Sequence, residues 1–284
     1  MWRIFKMIFT ENFIKLKEDD IANSLNTDGY FAIENALTQD FISNIESDVA
    51  NHRFLTNSNI LSGGYTSSQY FLVNMLACSR SFFNYCTDKK ILDICENLIG
   101  NLFRLKALRY YESYGSTRMQ WHTDSKTSKG FASIPGLIFI VYITDVFDGE
   151  FQYVRGSHVW SSTKMQNDFT QEFNSEDIKS FKMPKGSVII YNTHGIHRAK
   201  PSDSSNFIRK SLFFQVDGND NSEPLLINPS FMSDFDERVK MYLGFGREAT
   251  NIPFPHTDET TIPNYELHNL ISKVGYDRIK SMFM

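Results

Sequence analysis

The sequence predicts a mainly β fold, a barrel flanked by N-terminal helices and followed by a C-terminal helical extension. Three observations predict it. Between residues 100 and 217, apolar, β-branched and aromatic residues fall into short runs separated by turn residues, as strands do. Ahead of these runs lie two stretches with apolar residues at helical spacing. Behind them, a Gly/Asn/Asp/Ser-rich linker after Asp217 leads to further helical stretches. The length suits one domain, 1–284, with supporting helices and strands in 10–100, the barrel core in 100–217 and the extension in 218–284.

Taken in order, Thr38 can cap a helix in which Phe41, Ile42, Ile45 and Val49 form an apolar stripe. Residues 63–70 read as a mobile loop able to contribute to a pocket rim. One helix is expected over 81–100, with Phe82, Phe83, Ile91, Leu92, Ile94, Cys95 and Leu98 on the sheet. Residues 102–111 read as a strand. After a Gly-Phe-Ala-Ser-Ile-Pro-Gly turn, 137–143 is an apolar run typical of a strand buried on both faces. The polar, acidic stretch 161–180 is expected outside the barrel, as an insertion or helix placed to act as a lid. A Lys185-Gly186 turn opens a β-branched strand, a tight polar turn follows, and His197 begins the next extended piece. Residues 206–216 form another strand. Arg209 and Ser211 share one of its faces, Lys210 and Leu212 the other. Residues 231–245 and 265–284 read as helices.

The chemistry lies between these strands. In Trp121-His122-Thr123-Asp124, the histidine and aspartate are separated by one residue and so share a face of a strand. Both can face one metal ion. A second histidine from a distant strand would complete a 2-His-1-carboxylate face with open positions opposite, a ligand set suited to non-haem Fe(II) and O₂. Arg209, twelve residues beyond His197, can hold the far carboxylate of a keto-acid co-substrate through its planar fork. A barrel mouth is a common place for a small-molecule site. His-x-Asp alone is a weak signal, since a solvated strand end has the same sequence.

The second histidine is His197 or His194. His194 lies inside the turn, where a histidine is more often solvated or bonded to backbone. On a regular strand Gln120 shares the face of His122 and points into the pocket, whereas Trp121 faces the core. Tyr110, Tyr111 and Tyr142 either line the pocket or pack within the sheet. His158 is expected to hold its Gly-Ser-His turn. His52, His256 and His268 have no histidine or carboxylate at ligand spacing.

Five segments in order carry a family resemblance. They are Asp28-Gly29-Tyr30-Phe31-Ala32-Ile33 with the helix from Gln39, the triplet at 122–124, Asp148-Gly149-Glu150 through Gly156-Ser157-His158, the block from Gly186 to His197, and Arg209. Over residues 25–245 they resemble the phytanoyl-CoA dioxygenase (PhyH) family of double-stranded β-helix (jelly-roll, cupin-like) oxygenases. The resemblance implies that His122, Asp124 and His197 ligate Fe(II) and that Arg209 pairs with 2-oxoglutarate, with Gln120 a further candidate cofactor contact. It implies a dioxygenase that consumes O₂, releases succinate and CO₂, and hydroxylates an unactivated C–H bond of a small metabolite. Two positions depart from the pattern. Arg155 stands where proline is usual. Ala199 stands where some members carry a serine that touches the co-substrate, so a second anchor must come from elsewhere. The presence of Asp124 argues against a halogenase, which gives up that carboxylate to make room for halide.

Composition bounds the partners. A formal net charge of −4 and a pI near 6.0 give no basic patch for nucleic acid. The longest apolar run is too short to span a bilayer. Cys78, Cys86 and Cys95 have no zinc-like spacing, and an odd count argues against a disulfide framework. No signal peptide is apparent at the start and no Ser-Lys-Leu at the end. A cytoplasmic protein with a small-molecule substrate is expected. Two rivals share the pattern: a catalytically silent binding protein on the same fold, and a cupin-type metal enzyme that does not use 2-oxoglutarate. Arg209 separates the second from the main reading. Loops, not ligands, choose the substrate, so the sequence does not name it.

Overall fold

The computed structural model describes residues 7–53, 63–65, 69–101, 103–114, 119–124, 126–127, 130–131, 136–160, 173–204, 208–218, 225–232, 236–245 and 262–263. Helices α1 (Glu11–Ile14) and α2 (Glu18–Thr27) precede strand β1 (Tyr30–Ile33) and helix α3 (Gln39–Arg53). Strands β2 (Gly63–Tyr65) and β3 (Gln69–Leu72) follow, then helices α4 (Met75–Cys78), α5 (Arg80–Cys86) and α6 (Lys89–Ile99). The sheet-forming half comprises β4 (Arg104–Tyr114), β5 (Lys126–Thr127), β6 (Gly130–Phe131), β7 (Leu137–Tyr142), β8 (Val146–Val154), β9 (Ile178–Met183), β10 (Val188–Asn192), β11 (His197–Ala199) and β12 (Ile208–Asp217). Strand β13 (Leu226–Ile227), helix α7 (Glu237–Tyr242) and strand β14 (Ile262–Pro263) end the described chain.

Two antiparallel sheets carry the fold. The major sheet has seven strands in the order β1-β10-β7-β12-β4-β3-β2, and the minor sheet has the order β11-β8-β9. Side chains alternate across each strand. In β7, Leu137, Phe139 and Val141 point to the helices, while Ile138 and Tyr142 point to the minor sheet. Strand β12 does the same: Leu212, Phe214 and Val216 enter the helix-side core, where Phe139 stacks on Phe214 at 4.5 Å. Both faces of the major sheet are therefore covered, which is why its central strands read as unbroken apolar runs. The inner faces meet through Phe151, Tyr153 and Phe181 of the minor sheet against Ile138, Tyr142, Ile189 and Tyr191 of the major one. Each fully buried aromatic or aliphatic side chain in such a core contributes roughly 1.5–3 kcal/mol.

The double-stranded β-helix expected from the sequence is present as these two facing sheets, and they form no closed barrel among the described residues. Thr38 caps α3 as expected, its hydroxyl accepting from the N–H of Phe41 at 3.3 Å. Other expectations are corrected. The helix placed at 81–100 is two: Ser79 caps α5 by accepting from Phe82, and Asp88 caps α6 by accepting from Lys90, so the chain breaks at Thr87. The loop placed at 63–70 contains β2 and the start of β3, the last two strands at one end of the major sheet, and Tyr70 and Leu72 of β3 bury their side chains beside β4. The end of the supposed lid, from Ile178, is strand β9 paired with β8; residues 161–172 lie outside the described residues. Among the described residues of the helix placed at 231–245, α7 is the helix that forms, after a 3₁₀ turn at Pro229–Phe231. The helix placed at 265–284, and His256 and His268, also lie outside the described residues. No helix among the described residues is long and apolar enough to cross a membrane.

Candidate metal centre

His122 and His197 are bound to each other through their backbones. The N–H of His122 donates to the carbonyl of His197 at 3.0 Å, and the N–H of His197 returns the bond at 2.9 Å. This isolated antiparallel bridge extends the minor sheet beyond β11. The triplet is therefore not the regular strand expected from His-x-Asp spacing, yet it brings the same side chains together. The N–H of Asp124 donates to the carbonyl of Thr193 at 3.2 Å, which turns its carboxylate towards the two imidazoles.

Among the described residues, His122, Asp124 and His197 each offer a ligand atom, and these atoms lie within 4.8 Å of one another. Asp124 Oδ2 is 3.1 Å from Nε2 of His197, and Oδ1 is 3.8 Å from Nε2 of His122. Each histidine has its other ring nitrogen engaged. Nδ1 of His122 lies 2.9 Å from the carbonyl of Gln120, and Nδ1 of His197 lies 3.1 Å from the carbonyl of Gly195. A backbone acceptor at Nδ1 fixes the proton there and leaves the Nε2 lone pair directed at the centre, the arrangement usual for metal-bound histidines.

The electrostatics suit a cation. Burial opposes ionisation of Asp124, but the His197 and His122 imidazoles when protonated, with hydrogen bonds from His197 and Tyr191, outweigh it and hold the carboxyl down at about 2; a cation held by the neutral rings would act on the carboxylate in the same direction. Burial, then the neighbouring His197, lowers the pKa of His122, which favours the neutral ring a metal needs. Two neutral imidazole nitrogens and one ionised carboxylate form the donor set that suits Fe(II), so the residues fit such an ion.

These residues open into a cavity of about 270 Å³ between the two sheets, with Arg209, Ser211 and Phe213 of β12 and Arg109, Tyr111 and Ser113 of β4 on its major-sheet wall. The strand faces are those read from the sequence. Arg209 and Ser211 face the cavity, whereas Leu212 packs under the helices and Lys210 lies 3.8 Å from Glu46 of α3. The guanidinium of Arg209 donates to the carbonyl of Gly149 and, at 3.4 Å, to Ser113 Oγ. Burial lowers the pKa of the half-buried Arg209.

Other sequence candidates separate. Tyr111 and Tyr142 line the cavity, but Tyr110 belongs to the helix-side core. Gln120 departs from expectation: its side chain is exposed and outside the cavity, because the chain at 119–121 is not a regular strand. What it gives the site is its carbonyl. Trp121 packs on Val154 and Ile196, with the Arg198 guanidinium 4.2 Å above its ring. His158 holds its turn to Asn26 through Nε2 at 3.1 Å. His194 is not in the converging set.

Two features escaped the sequence reading. Tyr191 donates from its hydroxyl to Asp124 Oδ2 at 3.0 Å, and its signal was period-two spacing with Ile189, opposite Val188 and Ile190. Gly195 lies so close to Tyr153 that an added Cβ would sit 1.6 Å from the phenol oxygen, and no spacing rule reveals that approach.

The phytanoyl-CoA dioxygenase (PhyH) family model matches residues 25–211. No curated protein sequence matches the chain. Among solved structures, the chain is similar to HygX from Streptomyces hygroscopicus with nickel and 2-oxoglutarate bound, at 14% identity and a TM-score of 0.57 over 72% of this chain and 89% of that one. HygX with nickel, 2-oxoglutarate and hygromycin B matches at 15% identity and a TM-score of 0.56, over 72% and 90% of the two chains. The non-haem α-ketoglutarate-dependent carbocyclase SnoK from nogalamycin biosynthesis matches at 15% identity and a TM-score of 0.56, over 72% and 85%. At this identity the likeness establishes the fold, a double-stranded β-helix.

Proposed function

The chain belongs to the phytanoyl-CoA dioxygenase family, and from that we propose that it is an Fe(II)- and 2-oxoglutarate-dependent dioxygenase that hydroxylates an unactivated C–H bond of a small metabolite. The observation that carries this reading is the convergence of two imidazole Nε2 atoms and the Asp124 carboxylate in a cavity that also presents a half-buried guanidinium. His122, Asp124 and His197 would hold the metal, and Arg209 the distal carboxylate of 2-oxoglutarate. When bound, Fe(II) with 2-oxoglutarate and O₂ supplies the oxidising equivalents, leaving succinate and CO₂.

The chain's own residues do the rest. The carbonyls of Gln120 and Gly195 orient the two imidazoles. Arg209, held at Gly149 and Ser113, presents a preorganised cation to a dicarboxylate, which lowers the cost of ordering it on binding. Phe151, Tyr191 and Phe213 wall the cavity with apolar surface and exclude water from the reacting atoms. A volume of about 270 Å³ suits a small molecule. Three buried unpaired thiols, Cys78, Cys86 and Cys95, accord with a reducing compartment such as the cytoplasm.

The similar fold described as a carbocyclase favours a second outcome from the same site, ring closure. A screen of small metabolites for stimulated succinate release, read by mass spectrometry, tests the proposal. Gain of one oxygen supports hydroxylation, and loss of two hydrogens points to ring closure or desaturation, which the NMR spectrum of the product separates. Iron-dependent succinate release that is absent with every compound and also absent without substrate would contradict the oxygenase reading.

A further inference from the structure

Asp124 lies in a short described segment outside any regular strand, held on its main chain by the bond to Thr193. Its carboxylate must nevertheless be aimed. Tyr191 is fixed far more firmly: its backbone pairs with Tyr30 on one side and Ile138 on the other, in the interior of the major sheet. Its ring is 2% exposed, with centroids 4.8 Å from Phe151 and 4.7 Å from His197. Its hydroxyl lies 3.0 Å from Asp124 Oδ2 and 3.4 Å from His197 Nε2. A phenol at neutral pH is a donor, and Oδ2 is an acceptor only.

We propose that Tyr191 is a positioning residue for the metal: by donating to Oδ2 it occupies one carboxylate oxygen and leaves Asp124 a single oxygen to offer the ion. The proposal rests on the oxygenase reading above and adds to it the group that holds the Asp124 carboxylate in place. A carboxylate free to use both oxygens would take one more coordination position, one that the keto acid or O₂ needs. Ligating carboxylates are commonly held by such partners. The donor here comes from the interior of the major sheet, so the placement of β10 against the segment that carries Asp124 sets the number of open positions.

Mn(II) is the probe, since it takes octahedral geometry and relaxes the water protons bound to it. With three protein ligands, three positions hold water. Metal-free wild type, Tyr191→Phe and Tyr153→Phe are saturated with Mn(II) without co-substrate, and water-proton relaxation per bound ion is measured. Tyr153→Phe removes another buried hydroxyl, one that donates to the carbonyl of Asn192 and does not touch Asp124. Tyr191→Phe is expected to lower relaxation per ion by about a third, as two-oxygen ligation displaces one of three waters, while Tyr153→Phe keeps the wild-type value. Wild-type relaxation in Tyr191→Phe, or an equal fall in Tyr153→Phe, overturns the proposal. A measurement on wild type alone provides a check if a variant does not fold. Its metal-minus-apo infrared difference should show the wide carboxylate splitting of one-oxygen ligation, and a narrow splitting overturns the proposal. If wild type binds no Mn(II), the metal reading itself fails, an outcome distinct from either.

Discussion

Arg209 and Lys210 are adjacent in sequence and face opposite ways, one into the cavity and one towards Glu46 on α3. Truncating one member of a buried charge pair costs about 2–5 kcal/mol, so Arg209→Leu should raise the apparent KM for 2-oxoglutarate at least roughly tenfold. Iron affinity without co-substrate should stay close to wild type, because Arg209 is not in the converging set. Lys210→Ala removes an accessible ion pair and should leave the KM unchanged. Steady-state kinetics with varied 2-oxoglutarate decides; a larger effect from Lys210→Ala would reverse the strand face. The two histidines of the distal turn divide in the same way. His197 reaches the centre through Nε2, while His194 lies in the turn. His197→Ala should therefore abolish turnover and His194→Ala should retain most of it. The opposite ranking in a succinate assay would show the ligand to be one turn earlier.

At the scale of elements, Asp148 in β8 ties down the connection between β11 and β12. It accepts from Ser202 Oγ at 2.6 Å and from the N–H of Asp203 at 2.8 Å, beside the Gly149 carbonyl that receives Arg209. The Ser202 hydroxyl first, with burial opposing and backbone N–H groups of Gly149, Asp203 and Ser204 assisting, holds the carboxyl down at about 2. A depressed folded pKa means that this clamp is complete above the unfolded value of about 3.9 and is lost as the pH falls towards 2. Because the group is screened by solvent, its contribution is about 1 kcal/mol. Urea unfolding of Asp148→Asn should show a gap of that size from wild type at pH 7 that narrows below pH 4; a gap independent of pH would remove the clamp from the account.

Several elements could be read from the sequence because one local force decides each of them. The run Leu137–Tyr142, the Thr38 cap and the opposed faces of Arg209 and Lys210 are of this kind. The break at Thr87 was missed because apolar spacing continues across it, while the capping side chain of Asp88 restarts the helix. The strands around Tyr70 were missed because Gly-Gly and Ser-Ser suggest a loop, and only pairing with β4 makes them extended. Gln120 was misplaced by assuming a regular strand where one bridge between His122 and His197 sets the geometry. Period-two spacing with Ile189 puts Tyr191 on the inner face, but no local pattern names its partner, because Asp124 arrives from a segment 67 residues away.

For the whole molecule, the site exists because two sheets close on each other. His122 and His197 belong to the minor-sheet side, Tyr191 and Arg209 to the major sheet, and the aromatic layer of Phe151, Tyr153 and Tyr191 sets the distance between them. The residues on both sides are legible in their order along the chain; their separation across the gap depends on long-range packing that no local pattern encodes. This gap is expected to bind Fe(II) and 2-oxoglutarate together. The direct measurement is an anaerobic titration of the apoprotein with Fe(II) in the presence of 2-oxoglutarate, following the weak metal-to-ligand charge-transfer absorption. In wild type the band should saturate at one Fe(II) per chain and need 2-oxoglutarate, and it should be absent in both His122→Ala and Asp124→Ala while their folds persist. A band of unchanged strength in those two variants, or no band in wild type, would contradict it.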